Sequence, residues 1–135
     1  MTAVYEYAYK IGTTSINTVN VESLISTVVG RMPAPASRYI PYVEGVDTEN
    51  GDMVALGLPT VIWVFPFLTL AQRDALRAYC TGASSTVFIE TMGIDSSEAY
   101  LKLTGKMLWP QQETRDSAGR RLNFELTFIQ MEPYT

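Results

Sequence analysis

The chain has 135 residues, of which 47% are hydrophobic and 18% charged, a composition that predicts one domain with a substantial core. Ten Lys and Arg against fourteen Asp and Glu give a formal net charge of −4, which argues against general nucleic-acid binding, because that binding depends on an excess of cations. The chain has no His, so the usual general base near neutral pH and the usual nitrogen ligand of zinc are missing. We therefore expect a protein that is not an enzyme and holds no cofactor or metal.

The single cysteine, Cys80, excludes an intrachain disulfide and a cysteine metal cluster. We expect it to be a small buried apolar side chain. The first six residues lack the basic start and apolar stretch of a secretory signal. The sequence therefore predicts an intracellular product, or part of a particle assembled inside the cell.

The N-terminal part predicts a strand followed by a short helix. Residues 4–10 place three tyrosines on one face of a strand. Asn20 can cap a helix over about residues 21–29, in which apolar residues recur at helical spacing. The many Val and Thr residues there leave a strand as an open alternative.

Residues 31–57 are predicted to be a long surface loop, because they combine prolines with several turn-forming residues. The acidic residues Asp47, Glu49 and Asp52 suggest calcium. Their spacing does not match the twelve-residue calcium loop that ends in a bidentate Glu. A solvated turn is the better interpretation.

The uncharged stretch from Met53 to Leu70 contains Pro59 and Pro66, which argue against a membrane helix and favour a buried strand at residues 60–65. A helix over about residues 69–81 follows, because Thr69 and Gln72 have the spacing of a capping box. On its exposed face we expect a weak ion pair between Asp74 and Arg77.

The remaining chain alternates with period two, which predicts strands at residues 86–91, 100–109 and 120–131 and a polar hairpin loop at residues 111–119. In the last strand we expect four apolar side chains to face inward, namely Leu122, Phe124, Leu126 and Phe128. The fold class is therefore mainly β (α+β): a single domain, residues 1–135, built as an antiparallel β-sandwich or curled sheet with one flanking α-helix and a possible second short one.

The order of these features carries a resemblance to a known family. An aromatic strand runs directly into a capped helix, and the residues that carry this step are Trp63, Val64, Phe65, Leu68, Thr69, Leu70, Ala71, Gln72 and Leu76. Over roughly residues 38–131 the chain resembles the small minor tail or distal tail proteins of long-tailed bacteriophages.

The resemblance implies a virion protein of the phage tail, assembled in the host cytoplasm. It implies a homo-oligomeric ring, often a hexamer, that joins the tail tube protein to tail-tip, baseplate hub or receptor-binding proteins. Because of their length and polarity, we expect the two long loops to supply the subunit contacts. The residues that we single out in and beside these loops are Arg38, Tyr39, Tyr42, Asp47, Glu49, Arg115, Asp116, Arg120 and Arg121.

Other functions remain open at this point. Within the same assembly the chain fits a tail tube or tail terminator subunit. In another class it fits a carbohydrate-binding module that uses Trp63 or Trp109. A hydrolase that uses acids alone is the remaining alternative, with Glu90, Asp95 and Glu98 as candidates.

Overall fold

The computed structural model of the protein describes residues 9–24, 35–42, 44–47, 51, 53–92 and 100–134. Helix α1 is Leu70–Arg77, and a 3-10 turn covers Val21–Leu24. The strands are β1 (Lys10–Gly12), β2 (Val19–Asn20), β3 (Ala36–Ile40), β4 (Glu44–Asp47), β5 (Met53–Leu56), β6 (Thr60–Leu68), β7 (Ser84–Met92), β8 (Tyr100–Leu108), β9 (Thr114–Arg115) and β10 (Arg121–Pro133). The predicted mainly β fold with one flanking α-helix is confirmed.

All the described strands except β4 and β5 form one open antiparallel sheet in the order β2-β1-β7-β8-β10-β6-β3, with β9 added beside the start of β10. The sheet curls strongly. Although four places separate β7 from β3 in the strand order, Ser37 Oγ on β3 lies 3.1 Å from Thr91 Oγ1 on β7. Of the two expected arrangements, the described residues form the curled sheet.

The core fills the concave, inner face of this sheet. Its fully buried large side chains include Trp63, Phe65, Phe128, Ile11, Leu68, Leu76, Ile89 and Met107. Burying each large apolar side chain contributes about 1.5 to 3 kcal/mol. The indole N–H of Trp63 donates to Thr91 Oγ1 at 3.0 Å, so this buried polar group is satisfied inside the core.

Helix α1 begins where the sequence predicts it, because the capping box forms. Thr69 Oγ1 accepts from the backbone N–H of Gln72, and Gln72 Oε1 accepts from the backbone N–H of Thr69. The helix turns Leu76 into the core, and the buried Cys80 follows its end. It ends at Arg77, four residues before the predicted position.

The predicted pair between Asp74 and Arg77 does not form. Asp74 accepts from Arg73 at 2.9 Å instead. Arg77 donates to the carbonyl oxygens of Thr81 and Gly82 just beyond the helix. Both carbonyl groups belong to the loop that follows α1, so this guanidinium ties the loop to the end of the helix.

The inward side chains of β10 do not follow a simple alternation. The buried positions are Arg121, Phe124, Leu126, Phe128 and Met131, so two of the steps are three residues long. Asn123 (φ 49°) and Gln130 (φ 54°) lie within those two steps. A left-handed residue kinks the strand and shifts its inward positions by one.

This shift corrects two predictions. Leu122 was expected inward, but it is half-buried opposite the exposed Phe67. Arg121 was expected at the surface, but only 9% of it is exposed, and it lies opposite the buried Leu68.

Residues 31–57 were predicted to be a loop, and in the described part of this range that prediction is wrong. Strand β3 pairs with β6 along its whole length, and β4 and β5 form a separate two-stranded hairpin. These strands are only four or five residues long and are surrounded by turn-forming residues, so the sequence pattern did not predict them. Of the possible helix at residues 21–29, the described part is the 3-10 turn Val21–Leu24, and residues 25–29 lie outside the described residues.

Candidate functional site

The acids that were considered for catalysis, and Cys80, show no catalytic arrangement among the described residues. Glu90 lies 3.7 Å from Lys10 Nζ, which makes it half of a surface ion pair. Asp95 and Glu98 lie outside the described residues. The thiol of Cys80 is buried as expected, and burial raises its pKa, which favours the protonated form. No group of three metal-ligating side chains occurs in the described ranges.

The predicted contact residues before β6 are spread over several environments. Arg38 is exposed on the outer face of β3, whereas Tyr39 is half-buried and packs against the core. Tyr42 is half-buried after β3, and Asp47 is the last residue of β4. Glu49 lies outside the described residues. Of the side chains described here, that of Arg38 is the most available to a partner.

The predicted contact residues around residues 111–119 form a tightly closed turn. Asp116 Oδ1 accepts from the backbone N–H groups of Ala118 and Arg120, each at 2.9 Å. Its other oxygen accepts from Arg120 Nε at 2.7 Å, and these bonds lower the pKa of Asp116. Arg115 is exposed on β9. The three arginines of this segment therefore lie in different environments, since Arg115 is exposed, Arg120 pairs with Asp116 and Arg121 is buried.

The densest polar arrangement is centred on Glu113, a residue that the sequence did not single out. Arg73 Nε and Nη2 donate to its two carboxylate oxygens, both at 2.9 Å. Arg121 Nε donates to Oε1 at 3.0 Å, and Trp109 Nε1 donates to Oε2 at 3.2 Å. We call Arg73, Trp109, Glu113 and Arg121 the Glu113 cluster. It fastens the loop after β8 to helix α1 and to the start of β10.

The electrostatics of the Glu113 cluster favour the ionised acid. The guanidinium of Arg73 is the largest cause, followed by that of Arg121, and together with the Trp109 N–H they lower the pKa of Glu113 to about 2. The same contact raises the pKa of Arg73. Only 17% of the Glu113 side chain is exposed, so solvent screens these charges weakly.

Trp109 is held on several sides. The guanidinium carbon of Arg73 lies 5.1 Å from the centre of its ring, and that of Arg77 lies 4.6 Å away. The ring of Phe124 meets it edge-on at a centroid distance of 5.2 Å. With the hydrogen bond to Glu113, these contacts fix the orientation of the indole.

A groove of about 450 Å³ opens beside this indole. It is lined by Ala83, Leu108, Trp109, Pro110, Gln111, Glu125 and Thr127. We call it the Trp109 groove.

A second surface feature is apolar and lies where β6 passes into α1. Phe67 is 52% exposed and Leu70 is 54% exposed, and Pro66 is exposed beside them. Leu122 is the strand partner of Phe67 across the sheet, so the two side chains are neighbours. We call Pro66, Phe67, Leu70 and Leu122 the Phe67 patch. Large apolar side chains grouped at a surface are typical of interaction sites.

No family model, curated protein or solved structure matches this chain. Among the described residues, no helix has the length and apolar character needed to cross a membrane. The assignment of a function therefore depends on the chemistry of the surfaces described above.

Proposed function

We propose that the protein is a structural subunit of a bacteriophage tail. In this role it forms a homo-oligomeric ring, of six copies in the form that the resemblance implies, at the end of the tail. The ring joins the tail tube to tail-tip or receptor-binding proteins. The resemblance of residues 38–131 to minor and distal tail proteins motivates the proposal, and the residues that carry it form the step from β6 into the capped helix α1.

The observation that carries the proposal is the Phe67 patch. Phe67 and Leu70 are each more than half exposed, at 52% and 54%, although a 135-residue domain has a core able to bury them. Exposed aromatic and aliphatic side chains supply the apolar centre of interfaces between subunits. Burial of this patch against a second copy would remove apolar surface from water and stabilise the ring.

The hairpin of β4 and β5 supports the same role. Its two strands form a sheet of their own and are not paired with the main sheet. An isolated two-stranded hairpin is marginally stable in water, so it gains stability when another surface covers it. In the proposed ring, the hairpin of one copy meets the Phe67 patch of the next in a head-to-tail contact, which closes when the rotation between subunits is a simple fraction of a turn.

The mass of the protein in solution tests the ring. We expect light scattering at high concentration to give several times the 15.0 kDa of one chain. Phe67→Ser and Leu70→Ser should shift the protein toward the single-chain mass. Ile16→Ser is the matched control, because Ile16 is 88% exposed but lies outside the patch. A wild-type protein that stays a single chain, together with the absence of a ring in phage particles, would contradict the proposal.

The position of the chain in the particle distinguishes the related roles. Antibody labelling of intact tails should mark the end of the tail for a tail-tip ring. Labelling along the tail would indicate a tube subunit, and labelling at the head junction would indicate a terminator.

The alternative function, a carbohydrate-binding module, had two candidate tryptophans, and one of them is inaccessible. Trp63 is fully buried, so it offers no surface on which a sugar could stack. A carbohydrate-binding function therefore depends on Trp109.

A further inference from the structure

We propose that the Trp109 groove binds a neutral saccharide. This activity goes beyond the ring and does not depend on it, because the groove and the Phe67 patch share no residue. Four observations carry the proposal: the origin of the groove in the sheet, its lining, the fixed orientation of Trp109 and the charges around it.

The groove lies at a gap in the sheet. Strand β8 pairs with β10 from Thr127 onward, opposite Leu108, and β9 pairs with β10 only as far as Leu122, opposite Thr114. Between these points β10 has a strand partner on its β6 side alone. The chain from Trp109 to Glu113 passes around the gap instead of filling it. A cleft results, and its volume of about 450 Å³ lies within the usual range for a ligand site.

The lining combines the two kinds of group that a saccharide requires. Sugar rings present apolar C–H faces, which pack against apolar side chains such as Leu108 and Pro110 and against the part of Trp109 that lines the groove. Their hydroxyl groups both donate and accept hydrogen bonds. Glu125 supplies acceptors, and Gln111 supplies donors and an acceptor. Both residues are exposed, so they are accessible from solvent.

The indole is fixed before a ligand arrives. Its N–H donates to Glu113, its ring lies against the guanidinium groups of Arg73 and Arg77, and Phe124 meets it edge-on. A side chain that is already ordered loses little conformational freedom on binding. The Glu113 cluster therefore acts as the support of the groove.

The charges favour a neutral ligand over a charged one. A cationic ligand at Trp109 would meet the guanidinium groups of Arg73 and Arg77, which lie 5.1 and 4.6 Å from the ring centre. An anionic ligand, such as a phosphate or a nucleotide, would meet the carboxylate of Glu125 in the lining. Like charges repel each other, which opposes binding. A neutral saccharide avoids both conflicts.

Binding is tested on the full chain with an array of neutral glucose, galactose, mannose and N-acetylglucosamine oligomers. Binders are then titrated while tryptophan fluorescence is followed. Trp63 is fully buried, so a ligand-dependent change reports on Trp109. We expect Glu125→Gln and Gln111→Ala each to weaken binding about tenfold, because the first replaces a charged acceptor with a weaker neutral one and the second removes the hydrogen-bonding groups of the side chain. Glu132→Gln is the matched control, since Glu132 is an exposed acid on the same strand outside the groove, and it should bind as the wild type does.

Three results would overturn the proposal. One is no binding to any oligomer on the array. Another is full binding by the double variant Glu125→Gln, Gln111→Ala. The third is preferential binding of inorganic phosphate or of a nucleotide. Light scattering of the same variants distinguishes failure of the saccharide proposal from failure of the ring proposal. Substitutions in the groove should leave the mass of the assembly unchanged, whether or not a saccharide binds.

Discussion

Glu113 and Arg73 are forty residues apart in the chain, yet they are joined by two parallel hydrogen bonds of 2.9 Å. This paired geometry is the strong form of a contact between a guanidinium and a carboxylate. The contact fastens the loop after β8 to helix α1, and through Trp109 it also orients one wall of the Trp109 groove. Stability and the proposed binding activity therefore depend on the same carboxylate.

The depressed pKa of Glu113 predicts a dependence of stability on pH. Its ordinary value is 4.5 and its value in the folded protein is about 2. A lowered folded-state pKa means that the contribution is fully present above about pH 4.5 and is lost as the pH falls toward 2. Glu113→Gln should therefore lower the free energy of unfolding by about 3 kcal/mol at pH 7, and by much less near pH 2.

Urea unfolding of wild type and Glu113→Gln at pH 7, 4 and 2.5 measures this difference. Asp74→Asn is the control, because Asp74 also contacts Arg73 but its side chain is 56% exposed. An exposed pair contributes little, so the control should change stability by less than about 1 kcal/mol at any of these pH values. A Glu113→Gln effect that stayed constant with pH would show that charge at this position does not stabilise the fold.

At Gln130, one of the two left-handed residues of β10, glycine and a β-branched residue should have opposite effects on stability. Gln130 has φ 54°, a conformation that costs about 1 to 2 kcal/mol for an ordinary side chain and nothing for glycine. Gln130→Gly should therefore leave stability unchanged or raise it, and Gln130→Val should lower it by about 1 to 2 kcal/mol. Glu132→Gly is the control, because glycine should destabilise an ordinary strand position. Thermal unfolding of the three variants checks the order.

These left-handed residues also mark how far the sequence could predict the fold. The start of α1 was predictable because its signal is local: the capping box lies within four consecutive residues. Beyond Asn123 the predicted inward side chains Phe124, Leu126 and Phe128 are buried. Before Asn123 the prediction was wrong, because Asn123 is not a glycine and no local pattern indicates that the strand kinks there. Strand β3 was missed because it is five residues long and lies among turn-forming residues.

The Glu113 cluster was missed for a different reason. In the sequence, a glutamate in a polar segment gives the same pattern whether its side chain is solvated or bound by two arginines. The contact spans forty residues, and only the fold brings Arg73 to this loop. The Trp109 groove depends on the same placement, so its lining was not predictable from sequence spacing.

Gly105 lies where even the single methyl group of an alanine should lower the stability of the fold. A Cβ at this position would lie 2.5 Å from the carbonyl oxygen of Ile129 and 2.5 Å from Met131 Sδ. The carbonyl is backbone in β10 and cannot move without disturbing the ladder. Gly105→Ala should therefore lower the free energy of unfolding by about 1 to 3 kcal/mol. Gly82→Ala is the control, because nothing lies within 4 Å of a Cβ there, and it should leave the melting temperature unchanged.

Substitutions at Thr91 measure how much one hydroxyl group contributes to holding β7 against β6 and β3 in the curled sheet. Its Oγ1 accepts from the Trp63 indole at 3.0 Å and lies 3.1 Å from Ser37 Oγ, so it joins β7 to both β6 and β3. Thr91→Val keeps the shape but leaves the buried indole N–H without an acceptor, which should lower the free energy of unfolding by about 1 to 3 kcal/mol. Thr91→Ser keeps the hydroxyl group and should lose less. If urea unfolding gave the same stability for the valine and serine variants, packing rather than the hydrogen bond would hold this closure.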